Sequence, residues 1–194
     1  EVKLWLASAK YFVDLDYSFL GSIFGVPKVI LNDKDAFNIF NSYRSRAWKI
    51  RGVDDPLRSL YISGNDDLYA YRYDWDDHRR FIIADFKELI GAAHATEIPL
   101  LTGNNKLVGN YGFLIYPNGP SKRYTSKNMM KFWTNFAKNG KPGVSSNGVE
   151  WTKYNGKKNL PSSFMILDNR KNLKMHKNEF SFSSLAQDLY KEDA

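Results

Sequence analysis

The period-two run at residues 68–75, Leu-Tyr-Ala-Tyr-Arg-Tyr-Asp-Trp, leaves this chain the fewest ways to fold. Tyr69, Tyr71, Tyr73 and Trp75 alternate with smaller or polar residues, which is the pattern of a β-strand. A strand this rich in aromatic residues is expected to lie inside a sheet, and a sheet needs covering layers. The covering elements are legible on either side. Residues 34–49 predict a helix with Ala36, Phe37, Ile39, Phe40 and Tyr43 on one stripe and Asn32 or Asp33 as its cap. Residues 56–63 predict a short helix opened by Pro56. Residues 125–138 predict the strongest helix, with Met129, Met130, Phe132, Trp133 and Phe136 as its apolar stripe. Thr125 or Ser126 can cap it, and Gly140 and Pro142 stop it. Residues 163–168 and 172–176 read as a hairpin, and roughly 179–191 as a closing helix. Residues 2–12 fit a helix or a strand equally well. This order fits an α/β architecture better than a helical bundle.

Length and composition set outer bounds. A chain of 194 residues that is 43% apolar can bury a core and favours a single domain, spanning residues 1–194. Cysteine is absent, which excludes disulfides and thiolate metal sites. No apolar run approaches the ~20 residues that span a bilayer. The opening EVKLWLASAK lacks a basic region and a long apolar region, so it does not read as a signal peptide. It also lacks an initiator Met, and the expectation is that the chain begins inside a longer polypeptide. The compartment stays open. Net charge is +7 and unevenly spread, −1 over residues 1–90 and +8 over 91–194. The lysines are scattered among Asn, Ser and Gly in no long run and without a nucleic-acid-binding motif, so a solvated basic face is expected and no nucleic acid as partner.

The chain has three histidines. His78 sits in charge-dense DWDDHRRF and is expected to be an exposed loop residue; His176, at the end of the hairpin, is expected to be the same. His94 differs. It lies in Gly-Ala-Ala-His-Ala-Thr-Glu-Ile-Pro, residues 91–99, where its neighbours are Gly and Ala. So little bulk lets a ligand or another side chain approach the imidazole, and a histidine poised near neutral pH is the usual general base. His94 and Glu97 have i, i+3 spacing, but HExxH is absent and the glycine and proline argue for a loop, so no metal is expected. Glu97 can brace the loop by accepting backbone N–H bonds. No G-x-S-x-G elbow occurs; GVSSNG at 143–148 has the wrong spacing and offers no activated serine.

The segment GAAHATEIPLLTGN resembles the histidine segment of type-B carboxylesterases, the family that includes cholinesterases and bacterial para-nitrobenzyl-type esterases. The next helix is similar too, with Met130, Trp133, Phe136, Ala137, Gly140 and Pro142 in the family's spacing, then Trp151 and the strand FMILD at 164–168. The likeness covers about the whole chain and is most specific from Tyr71 to Asp168. It implies the C-terminal part of an α/β-hydrolase fold, several sheet strands with packing helices, in which the triad runs Ser, acid, His. His94 then looks like the triad base, and Glu97 like support for its loop. Glu1, 93 residues before His94, looks like the triad acid, and Leu4 and Trp5 like residues of the substrate pocket.

The resemblance further implies a serine esterase acting on a small-molecule ester without a cofactor. The serine elbow and oxyanion loop belong to an N-terminal half outside this chain. That half is the expected partner, and the chain alone is expected to be inactive. Lack of cysteine points toward a bacterial member. A catalytically inactive, cholinesterase-like adhesion or binding module is the alternative.

Overall fold

The computed structural model describes residues 11–18, 28–82, 84–109, 112–156 and 163–177. A hairpin comes first, β1 (Val13–Asp16) paired antiparallel with β2 (Lys28–Leu31). Helix α1 (Lys34–Lys49) follows. Its N-cap is Asp33, whose carboxylate accepts the Ala36 N–H at 2.9 Å, satisfying one of the orphan donors of the first turn. Asp33→Ala is expected to lower stability by about 1 kcal/mol in a urea melt. The stripe foreseen for this helix is only partly buried: Phe37 is inside, while Ile39, Phe40 and Tyr43 are exposed. A π-helical turn, Ile50–Asp54, joins α1 to α2 (Asp55–Ile62), which opens on Pro56 as expected.

The main sheet has the order β3 (Tyr71–Tyr73), β4 (Ser163–Leu167), β5 (Lys174–Lys177). β3 runs parallel to β4, with Tyr71, Arg72 and Tyr73 opposite Met165, Ile166 and Leu167, and β5 returns antiparallel as the foreseen hairpin. The run at 68–75 is therefore a shorter strand than its sequence suggests, and among the described residues it pairs on one side only. The reason lies in its backbone bonds. The Ala70 carbonyl accepts both Met165 N–H (2.9 Å) and Trp151 Nε1–H (3.1 Å), and the Leu68 carbonyl accepts Tyr154 N–H (2.7 Å). Residues 68–70 are extended and bonded, but to a loop as much as to a neighbouring strand.

β4 is the centre of the molecule. Its side chains alternate between two apolar clusters. Met165 and Leu167 point into one with Trp75, Leu100, Tyr116, Met129, Phe132 and Trp151. Phe164 and Ile166 point into the other with Leu68, Ala70 and Tyr154, covered by Leu57 and Tyr61 of α2. A strand buried on both faces reads as a continuous apolar run, which SFMIL is.

Between β3 and β4 lie α3 (Phe86–Ile90), α4 (Ile98–Thr102), a 3₁₀ turn (Asn105–Val108), α5 (Gly112–Ile115) and the long α6 (Pro120–Asn139). α6 starts five residues before the expected helix. Pro120 fills the first turn, where no N–H is needed, and Gly119 is the cap. Thr125 and Ser126 are consequently buried inside the helix rather than capping it. Thr125 Oγ1 donates to Asp168 O (3.0 Å) and Ser126 Oγ to Leu100 O (2.5 Å), tying α6 to the end of β4 and to α4. The helix ends as expected on Gly140 in the left-handed conformation (φ 67°). The architecture is α/β. The closing helix foreseen at 179–191 lies outside the described residues. Among the described residues no helix is long and apolar enough to cross a membrane.

Candidate active site

His94 stands on the turn between α3 and α4, its side chain exposed. The sequence makes this turn in three steps. Gly91 ends α3 with its N–H on Lys87 O (3.1 Å) and takes a positive φ of 54°, which an L side chain resists. Thr96 then closes the turn on Ala93 O through its N–H (3.2 Å) and its Oγ1–H (2.6 Å). Glu97 opens α4: its carbonyl accepts Leu100 N–H (3.0 Å) and Leu101 N–H (2.9 Å), while its carboxylate makes no capping bond.

Ala95, next to His94, sits at φ 67°. A left-handed alanine costs about 1–2 kcal/mol, more than the about 0.5–1 kcal/mol that glycine's extra backbone entropy costs. Ala95→Gly is expected to raise the melting temperature. Its counterpart, a β-branched residue at 95, should lower it.

Three side chains from the sheet end hold this strained turn. Tyr73, the last residue of β3, and Tyr116, just after α5, both donate their phenolic O–H to Thr96 O, at 3.3 and 3.2 Å. Burial keeps both phenols protonated: it pushes Tyr116 up to about 12 and Tyr73 further, and the nearby Glu97 charge adds to both effects. The third is His78, whose Nε2 lies 2.9 Å from Gly91 O. A carbonyl only accepts, so Nε2 carries the proton.

His78 corrects the reading of DWDDHRR as a wholly exposed loop. It is only 5% exposed, set edge-on against Trp75 (5.0 Å) and Tyr116 (5.1 Å). The segment divides its residues by side. Asp76 and Asp77 face Lys87 at 2.8 and 3.7 Å, and His78 turns back under Trp75. Trp75 is itself fully buried, stacked on Tyr116 at 5.9 Å, with Nε1–H donating to Ser121 Oγ (2.9 Å). Ser121 in turn donates to Asp77. The signal available in the sequence was the aromatic Trp75 three residues before His78, at the end of an alternating run. His176 is half-buried rather than exposed, edge-on to Phe164 at 5.4 Å.

Burial lowers the His78 pKa below the usual histidine value. The Gly91 and Ile115 carbonyls and the charges of Asp76 and Asp77 oppose that shift without overcoming it. The unfolded chain therefore takes up this proton first as pH falls. Stability is expected to be unaffected by His78 above its unfolded value near 6.5 and to decline from there down through its lowered folded value. Urea midpoints across that range, compared with a His78→Gln variant, check this.

The exposed imidazole of His94 meets Trp48 from the last turn of α1, ring centroids 4.9 Å apart. Trp48 is half-exposed and walls one side of the imidazole. At the opposite end of α1, Glu88 of α3 fastens the helix, pairing with Lys34 (3.0 Å) and accepting from Asn38 (3.3 Å). Glu1, Leu4 and Trp5 lie outside the described residues. Among the described residues no three His, Asp or Glu side chains come together as a metal site. The arrangement is an accessible imidazole on a backbone turn fixed by hydrogen bonds at both ends, which suits proton transfer to and from a group approaching from outside.

No curated protein matches the chain. Among solved structures, a PNB esterase is similar over 61% of this chain and 21% of its own, with 24% identity and a TM-score of 0.44. The chain thus spans about a fifth of the length of that protein. The model of the carboxylesterase family matches residues 51–183, which take in β3, the His94 turn, α6 and the β4–β5 hairpin. On that match, the chain belongs to the carboxylesterase family.

Proposed function

We propose that this chain supplies the base of a serine carboxylic ester hydrolase, with His94 as that base. The observation that carries the reading is the turn itself. Its carbonyls are bound at Gly91 and Thr96 by His78, Tyr73 and Tyr116, while the imidazole between them stays accessible. A general base needs a fixed location and an open face.

In the proposed reaction a serine hydroxyl, carried by an N-terminal half of the enzyme outside these 194 residues, attacks the ester carbonyl of a small-molecule substrate. His94 takes the hydroxyl proton as the oxygen–carbon bond forms, then returns it to the leaving alcohol. Water repeats the sequence on the acyl-enzyme and releases the acid. Glu1 holds the imidazole tautomer and stabilises the imidazolium, and Leu4 and Trp5 line the substrate pocket. Glu97 supports the loop through its main chain. No cofactor takes part. The chain alone, without a nucleophile, has no activity in this scheme.

A serine-reactive phosphonate tests the reading. The assembled protein, this chain together with its nucleophile-bearing half, should be labelled stoichiometrically and lose activity toward a p-nitrophenyl ester in step. Neither half alone should be labelled. Absence of labelling in the assembled protein would sink the enzyme reading and leave a binding or adhesion role.

A further inference from the structure

We infer that His78 is a positioning residue for His94, one side chain that holds both ends of the catalytic turn. The inference rests on the reading of His94 as the base. At the first end, His78 Nε2–H donates to Gly91 O at 2.9 Å, at the point where the chain leaves α3. At the second, its ring stands edge-on to Tyr116 at 5.1 Å, and Tyr116 donates to Thr96 O at 3.2 Å. Trp75 closes the third side at 5.0 Å. The two anchors flank His94 at three residues before it and two after it.

The other ring nitrogen argues that this is more than packing. Nδ1 is buried with no hydrogen-bond partner among the described residues. The nearby Ile115 carbonyl cannot serve it, because with the proton on Nε2 both Nδ1 and the carbonyl oxygen are acceptors. A buried nitrogen without a partner is costly, and an aliphatic side chain of similar volume would fill the same space without that cost. What the aliphatic chain would lack is the N–H on Gly91 O. The imidazole is also held in one orientation, because turning the ring over would put carbon Cε1 where Nε2 now donates to Gly91 O. Gly91 O is thereby fixed, and with it the path of Ala92, Ala93 and His94.

Three variants of the assembled protein separate positioning from stability: His78→Gln, His78→Asn and His78→Leu. Glutamine extends an amide N–H to about the place of Nε2; asparagine is too short. Melting temperature, kcat and KM for a soluble ester, and the rate of phosphonate labelling are measured for each. A displaced catalytic turn can lose about 10- to 100-fold in rate. The expected result is a loss of that size in kcat and in labelling rate for Leu and Asn, with KM little changed and Gln close to the parent. If Leu and Gln are equally active, or equally impaired with the same drop in melting temperature, the inference is overturned. Should the Leu protein fail to fold, Gln against Asn decides in the same way. His94→Ala is the control. If it leaves labelling and turnover intact, the base assignment itself fails. If it abolishes them while His78→Leu changes nothing, only the positioning role fails.

Discussion

Replacing His94 by alanine is expected to lower kcat for ester hydrolysis in the assembled protein by about 10²- to 10⁴-fold. The loss should fall on kcat more than on KM, because proton transfer matters in the transition state and not in the bound substrate. Folding should hardly suffer. The imidazole is exposed, and its contact with the half-exposed Trp48 is an aromatic pair worth about 0.5–1.5 kcal/mol. A small stability change with a large rate change is the combination that marks a catalytic group. An unchanged kcat in a folded His94→Ala protein would remove His94 from the mechanism.

The second large effect falls on stability. Trp75→Ala is expected to cost about 3–5 kcal/mol, read from urea denaturation. Trp75 is fully buried, and its ring touches Tyr116 and His78 together. Its removal leaves a cavity beneath the His94 turn and strips Ser121 of an N–H donor. A domain of this size has only about 5–15 kcal/mol in hand, so this one change endangers the fold. Trp75→Phe should cost clearly less, because it keeps much of the stack and loses chiefly the indole N–H. If Trp75→Ala melts like the parent, the apolar cluster around β4 does not depend on this ring as its burial indicates.

Local signals were the readable ones. Asp33 at the start of α1, Pro56 in α2, Gly140 at the end of α6 and the β4–β5 hairpin all depend on residues within a few positions of one another. Each was legible for that reason. The β1–β2 pair was not. Its strands are joined by eleven intervening residues, and each is only four residues long, too short a run for its sequence to mark it as a strand. The start of α6 misled because Thr125 and Ser126 have the chemistry of caps, and only the tertiary bonds to Asp168 O and Leu100 O explain why they sit inside. At the site, His94 stood out by the small size of its neighbours. Trp48 and Tyr116 did not, since they reach the turn from 46 positions before His94 and 22 after it. His78 was hidden by its polar flanks, because the sequence does not say which way each of Asp76, Asp77 and His78 turns.

The turn that carries His94 is tied down by its carbonyl oxygens, at Gly91, Ala93 and Thr96. A carbonyl is common to every residue type, so the anchorage does not read the side chains at 92 and 93. Those two positions can therefore be varied in size and polarity to reshape the approach to the imidazole, while the framework that aims it stays in place. For anyone wishing to alter which groups reach the His94 imidazole, the base proposed above, a small library at Ala92 and Ala93 is the economical place to begin.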